Sequence, residues 1–329
     1  MFNALVAQQT GKTVTCRFEQ WDNCQLPDHP ILVKVSHSSI NYKDALAVTN
    51  RGKILRSLPM VPGIDLVGNV VESASTDFQP GDTVVLCGGG LGEDYCGGFA
   101  EYARVPAEPL VKLPATMSPK DAMAAGTAGF TAMLCVLALQ DASIKTSSGS
   151  IIVSGASGGV GSVAIAILAR LGYSVTAISG RPEHSGFLKQ LGASEVLPRE
   201  AFQEPAKPLE PQRWAGAIDT VGDNLLAKLL AQINYAGAVA SCGLAGGHQL
   251  NTTVMPFILR GVKLLGINST YVDNPLRQRA WQQLADVLDH RFWASISQTI
   301  GFQAIPEYSE KLLAGEVRGR IIVDMNSAE

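Results

Sequence analysis

Along the first third of the chain, apolar positions come in short runs rich in β-forming residues, each broken by glycine or proline: 31–35 (ILVKV), 66–71 (LVGNVV), 83–86 (TVVL) and 101–105 (EYARV). A Gln79-Pro80-Gly81-Asp82 turn signal introduces the third run. This turn-bounded punctuation predicts a compact, largely antiparallel barrel from Ala4 to about Pro114.

From about Asp121 the rhythm changes to strands alternating with longer helical patterns. The expected strands are 150–155, 174–179, 214–220, 237–243 and 262–268, with Glu195–Pro198 a weaker one. Between the first two, Val160, Val163, Ala164, Ile167, Leu168 and Leu171 recur at helical spacing and form one apolar stripe to lay on a sheet. Repeated β-α-β order predicts a parallel, doubly wound sheet. A helical stretch follows at 275–289, and Arg320–Asp324 is expected to rejoin the N-terminal barrel. The expected class is therefore α/β, a Rossmann sheet over 121–289 inserted in a barrel built from 1–120 and 290–329. No internal repeat interrupts this plan, and the proline-rich 198–211 reads as a loop.

Length agrees with two domains, since 329 residues exceed what one core usually serves. A net charge of −3 with 17% charged residues gives no global attraction to nucleic acid or an anionic membrane, so an anion site must be local. The first nine residues lack a basic leader and their apolar stretch is too short for a signal peptide. No uninterrupted apolar span is expected to cross a bilayer, and the cytoplasm is the expected location. Six cysteines, Cys16, Cys24, Cys87, Cys96, Cys135 and Cys242, are scattered without Cys-x-x-Cys spacing. They read as free thiols, mostly packed, rather than a disulfide framework or a closed zinc site.

The densest chemical signal is SGASGGVGS at 154–162, directly after the apolar run 150–153. In the dinucleotide fingerprint, glycines form a tight turn and admit a diphosphate, while the following helix offers amide donors and a favourable dipole. Here Ala156 replaces the first glycine, which is tolerable wherever φ stays negative. Ser157, Gly158, Gly159 and Val160 are thus the expected diphosphate cradle. At the end of the next strand an NAD-preferring site places an acid for the ribose hydroxyls, but this chain has Ser179, Gly180 and Arg181. Arg181 is suited to a 2′-phosphate, with Ser179 donating a further hydrogen bond, so NADPH is the expected cofactor.

These residues, with 126–132 (GTAGFTA) and 41–45 (NYKDA), resemble the medium-chain dehydrogenase/reductase superfamily and its zinc-free quinone-oxidoreductase branch. The runs NYKDALAVT, PMVPGIDLVG, GTAGFTAMLCV, WAGAIDTVGD and CGLAGG are similar to the bacterial acrylyl-coenzyme A reductase group, nearly end to end. The resemblance implies a GroES-like barrel, a Rossmann domain with a cleft between them, a homodimer, and NADPH-dependent reduction of acryloyl-coenzyme A to propanoyl-coenzyme A. Zinc-dependent relatives carry a Cys near 41–44 and Gly-His-Glu where this chain has Gly63, Ile64 and Asp65. No metal is expected, because His29, His37, His184, His248 and His290 do not rebuild a ligand set.

Without metal, hydrogen-bond donors must stabilise negative charge on the thioester oxygen. The resemblance points to Tyr42 for cofactor contact and for proton donation or enolate stabilisation, against the alternative of a buried structural tyrosine. Asn41, Lys43 and Asp65 are weaker candidates. It also implies cofactor contacts at Thr131, Arg199 and Ile258. Leu244, within the 243–246 loop, and Ser269 follow later strands on the carboxyl edge, where open parallel sheets bind ligands. Arg51, Lys53 and Arg56 form a basic cluster that is a candidate for coenzyme A phosphates. Strand 262–266 is a candidate for pairing across a two-fold axis. A quinone or enone reductase and a non-catalytic NADPH-binding protein share the same parts and stay open at this level.

Overall fold

The structure is a computed structural model describing residues 1–11 and 13–327. The chain opens with β1 (Phe2–Thr10) and β2 (Thr13–Trp21), then β3 (Ile31–Ile40), the short helix α1 (Tyr42–Val48), β4 (Asp65–Ser73), β5 (Thr83–Cys87), β6 (Tyr102–Val105) and β7 (Val111–Lys112). Helix α2 (Pro119–Asp141) leads into β8 (Ile151–Val153), α3 (Gly159–Arg170), β9 (Val175–Ser179), α4 (Ser185–Gln190) and β10 (Glu195–Pro198). Then come β11 (Trp214–Asp219), α5 (Asp223–Gln232), β12 (Ile233–Ser241), α6 (Met255–Arg260) and β13 (Lys263–Gly266). The chain closes with α7 (Asn274–Val287), α8 (His290–Ile296), β14 (Ser297–Gly301), α9 (Ile305–Leu313) and β15 (Arg320–Asp324).

Contacts divide the chain into two compact units. Unit 1 holds Met1–Phe130 with Ser269–Glu329, and unit 2 holds Thr131–Asn268. Unit 1 contains a seven-stranded sheet in the order β14-β15-β3-β4-β5-β7, with β6 also pairing β3. Every pairing in it is antiparallel except β14 with β15. The hairpin β1–β2 forms a separate sheet, tied to the barrel through Ala4 with Ala100 and Ala7 with Met60. The C-terminal strand rejoins the barrel as its sequence predicts, with Ile321 opposite Ile40 and Asp324 opposite His37. Leu5, Ile31, Leu66, Leu86, Phe99 and Ile321 meet in its core, each almost fully buried. Each such side chain contributes about 1.5–3 kcal/mol by leaving water.

Helix α7 belongs to unit 1 for a physical reason. Its Arg277 donates to the carbonyls of Cys87 and Thr270, each at 2.7 Å, and its Trp281 stacks on Phe130 with ring centroids 5.9 Å apart. Helix α2 is apolar and long enough to cross a membrane by length and composition, contrary to the expectation of no such span; yet 89% of its most apolar window is buried inside the protein. Gly126, at φ +51°, breaks its helical path.

Unit 2 is a six-stranded, wholly parallel sheet in the order β10-β9-β8-β11-β12-β13. The apolar stripe read in α3 is its buried face, with Val163, Ala164, Ile167 and Leu168 almost completely out of solvent. The order reverses direction at β8, so the two halves part between β8 and β11. A doubly wound sheet binds ligands at that point, beyond its carboxyl ends.

Candidate functional site

The glycine loop occupies that switch point. Gly155 takes φ +56°, while Ala156 lies outside the left-handed region and bonds its N–H to the Ile178 carbonyl at 3.2 Å. Gly158 is the N-cap of α3 in extended conformation. A Cβ on Gly161 would strike the Gly155 carbonyl, so only glycine lets the helix approach the strand this closely. The first-turn amides of Gly159, Val160 and Gly161 lie at the helix end whose dipole favours an anion.

Asp219, at the end of β11, makes this loop rigid. It accepts from the Ser154 hydroxyl at 2.6 Å and from the Gly222 amide at 2.9 Å. Burial raises its pKa, and those hydrogen bonds oppose the rise. On the neighbouring strand, Pro198 pairs with Ser179, which sets Arg199 beside Gly180. Arg181 and Arg199 are both exposed, and among the residues closing β9 and β10 no acid faces them at 179–181. The Ser179 hydroxyl is buried and bonded to the Arg181 backbone, closing the turn that presents Arg181. Leu244 and Ile258 are strongly exposed apolar residues of the same unit, whereas Thr131 is buried.

Unit 1 carries a second constellation. Asp65, fully buried at the start of β4, accepts from Ser39 Oγ (2.6 Å), Asn41 Nδ2 (2.7 Å), the Thr127 amide (2.9 Å) and Thr127 Oγ1 (2.6 Å). Arg320 reaches the same cluster from β15, donating to Asn41 Oδ1 (3.0 Å) and the Ala124 carbonyl (3.1 Å). Gly126 is the residue that makes room, because a Cβ there would meet Asp65, Arg320 and Ser39 together. Asp44 accepts from the Ile64 and Asn41 amides, both at 2.8 Å. Burial, aided by repulsion from Asp65, pushes its pKa up to about 7. Burial likewise lowers the pKa of Arg320, and both carboxylates oppose that shift.

This cluster fixes the start of α1. Asn41 is held at its backbone and at both ends of its amide, and Tyr42 follows as the first helical residue with its ring 64% exposed. Tyr42 is therefore not a buried structural tyrosine. Ser269 lies in unit 1 and is half-buried. The basic cluster is largely charge-compensated: Arg51 pairs with Glu310 at 2.7 Å, Arg56 lies 3.9 Å from Asp94, and nearby Lys43 pairs with Glu93 at 2.8 Å. It does not form the concentrated positive patch expected from sequence. The arrangement also does not fit zinc. Asn41 and Ile64 replace ligand types, Asp65 has both oxygens bonded, and the guanidinium of Arg320 supplies the local positive charge.

Sequence reasoning missed Arg320, Ser39 and Thr127, and gave Asp44 no role. The available signal was an arginine heading the apolar strand RIIVD, a position that calls for a buried acceptor.

A Rossmann sheet with an amide-lined loop at its switch point, joined to a GroES-like barrel, defines a dehydrogenase/reductase architecture. The alcohol dehydrogenase GroES-like domain family matches residues 27–115 and the zinc-binding dehydrogenase family matches residues 159–289. The chain belongs to the medium-chain dehydrogenase/reductase superfamily, in its quinone-oxidoreductase branch. It is 50% identical over 322 residues to the probable acrylyl-CoA reductase AcuI of Escherichia coli, covering 98% of this chain and 99% of that one. It is 44% identical to the acrylyl-CoA reductase AcuI of Ruegeria pomeroyi, covering 99% and 100% respectively. Among solved structures, the yhdH oxidoreductase of Salmonella enterica in complex with NADP superposes with a TM-score of 0.95 at 49% identity, covering 98% of this chain and 100% of that one.

Proposed function

We propose that this chain reduces the carbon–carbon double bond of acryloyl-coenzyme A to propanoyl-coenzyme A with NADPH. The observation that carries the reading is the carboxyl edge of unit 2: a preformed amide cradle beside Arg181 and Arg199, with no acid where a ribose hydroxyl would be bound. Those residues fit a 2′-phosphorylated dinucleotide, and the end-to-end similarity to acrylyl-CoA reductases supports the substrate class.

In this reading Ser157, Gly158, Gly159 and Val160 hold the diphosphate, and Ser179, Gly180, Arg181 and Arg199 form the 2′-phosphate pocket. Thr131, Leu244, Ile258 and Ser269 contact the remainder of the cofactor. When bound, NADPH supplies the hydride. Tyr42 does the protein's part of the chemistry: its phenol donates to the thioester oxygen as negative charge gathers there, and a proton is then delivered to the α carbon. The Asn41–Asp44–Asp65–Arg320 cluster sets the backbone from which that phenol projects. The exposed edge of β13, with Leu264, supports a homodimer built by pairing this strand across a two-fold axis. A cytoplasmic location agrees with six free cysteines.

The test is NADPH oxidation with acryloyl-coenzyme A, crotonyl-coenzyme A and a simple quinone. A preference for acryloyl-coenzyme A is expected. Faster turnover of the quinone would make the protein a quinone reductase, and nucleotide binding without turnover of any acceptor would make it a binding protein. Light scattering checks the dimer, which Leu264→Lys is expected to dissociate.

A further inference from the structure

Two cysteines that lie far apart in sequence meet in unit 2. The thiol of Cys135, in the last three turns of α2, hydrogen-bonds to Cys242, the residue that follows β12. The packing explains the meeting. Leu139, one turn after Cys135 on the same helical face, lies against Gly216 of β11, where a Cβ would stand 3.5 Å from Leu139 Cδ2. Cys242 is held independently, its amide donating to the Asp219 carbonyl at 2.9 Å and its sulfur lying 3.5 Å from the same oxygen.

The two thiols differ in access. Cys135 is fully buried, and Cys242 is half-buried. The hydrogen bond to Cys242 and burial hold the Cys135 pKa well above the ordinary thiol value. The sulfur open to a small oxidant is therefore Cys242, with a protonated thiol waiting behind it.

We propose that Cys135 and Cys242 are a modification site, forming a reversible disulfide when the protein meets a hydroperoxide. The Cys242 thiolate attacks the peroxide, the O–O bond breaks, and Cys242 leaves as a sulfenic acid while the peroxide departs as an alcohol or water. The Cys135 sulfur then displaces the sulfenic hydroxyl, which leaves as water with the thiol proton. Two thiols lose two electrons, and the peroxide gains them.

The bond ties two parts of the nucleotide edge together. Gly243 and Leu244 follow Cys242 directly, and Thr131 lies one helical turn before Cys135. Drawing the sulfurs from contact to a bond of about 2 Å shifts both segments. This consequence, unlike the disulfide, rests on the cofactor contacts proposed above, and oxidation is expected to weaken NADPH binding about tenfold.

The experiment treats the full-length protein with hydrogen peroxide, blocks remaining thiols with N-ethylmaleimide, and maps the peptides by mass spectrometry. The expected result is a Cys135–Cys242 linked peptide lighter by two hydrogens, lost on treatment with dithiothreitol. With Cys135→Ser, Cys242 is instead trapped by dimedone as sulfenic acid. Full alkylation of both cysteines after peroxide, with no linked peptide, overturns the assignment, and wild-type mapping alone decides it should a variant misfold. NADPH affinity is read by fluorescence before and after oxidation. An unchanged affinity in disulfide-bonded protein overturns the coupling. Failure of the reduced protein to bind NADPH overturns the proposed function instead and leaves a mapped disulfide standing.

Discussion

Asn41 Nδ2 donates to Asp65 Oδ2 at 2.7 Å, while the opposite end of the same amide accepts from Arg320. One side chain thus bridges a buried anion and a buried cation, and its orientation has no freedom left. The residue that follows it, Tyr42, is presented to solvent from this fixed point.

Removing the anion strands the cation. Asp65→Asn leaves Arg320 buried with weakened compensation and converts one acceptor oxygen to a donor facing other donors. A loss of about 3–5 kcal/mol is expected, read by guanidinium unfolding. A change below 1 kcal/mol would show that Arg320 does not depend on Asp65.

Asp44 makes stability depend on pH in a defined direction. Its pKa of about 7 in the folded protein exceeds the value of about 3.9 for an unfolded aspartate. Between those values the unfolded chain releases a proton that the folded chain keeps, so this group's contribution falls as pH rises from about 4 to about 7, by up to a few kcal/mol. Above that range the loss is complete. Asp44→Asn should flatten this segment of the stability profile, while lowering stability throughout because its amide meets the Ile64 or Asn41 N–H. A profile as steep as that of the wild type would assign the titration elsewhere.

Arg181 and Arg199 should govern cofactor choice. Replacing either with Ala is expected to weaken NADPH binding about 10-fold or more, the scale of a lost charge-assisted hydrogen bond, and to leave NADH binding nearly unchanged. Isothermal titration with both nucleotides checks this. Equal losses for the two would mean that the arginines do not read the 2′-phosphate.

Tyr42→Phe should separate chemistry from folding. Its ring is exposed, so stability is expected to stay within about 0.5 kcal/mol of wild type. With the phenol lost, kcat for acryloyl-coenzyme A is expected to drop about 10²-fold or more, with a smaller change in KM. Undiminished kcat would remove Tyr42 from the catalytic step.

Much of the fold was written locally. The parallel strands of unit 2 and the stripe on α3 follow from hydrophobic period, which each segment carries by itself. The same holds for the glycine loop, since its tight turn and close helix approach demand residues without side chains at fixed offsets. Even the return of Arg320–Asp324 to the barrel was legible, because a lone apolar β-run after a helical region needs a sheet to join.

Tertiary structure decided what lies between segments. Nothing near Arg320 in sequence announces that it meets Asn41, 279 residues away, or that Gly126 clears the space for their cluster. The acids that compensate Arg51 and Arg56, the grouping of α7 with the barrel unit, and the contact of Cys135 with Cys242 are of the same kind. Period and turn chemistry are properties of neighbouring residues, and one chain suffices to state them. Charge compensation and thiol contact depend on which surfaces meet after folding, and only the packed arrangement of strands and helices sets that.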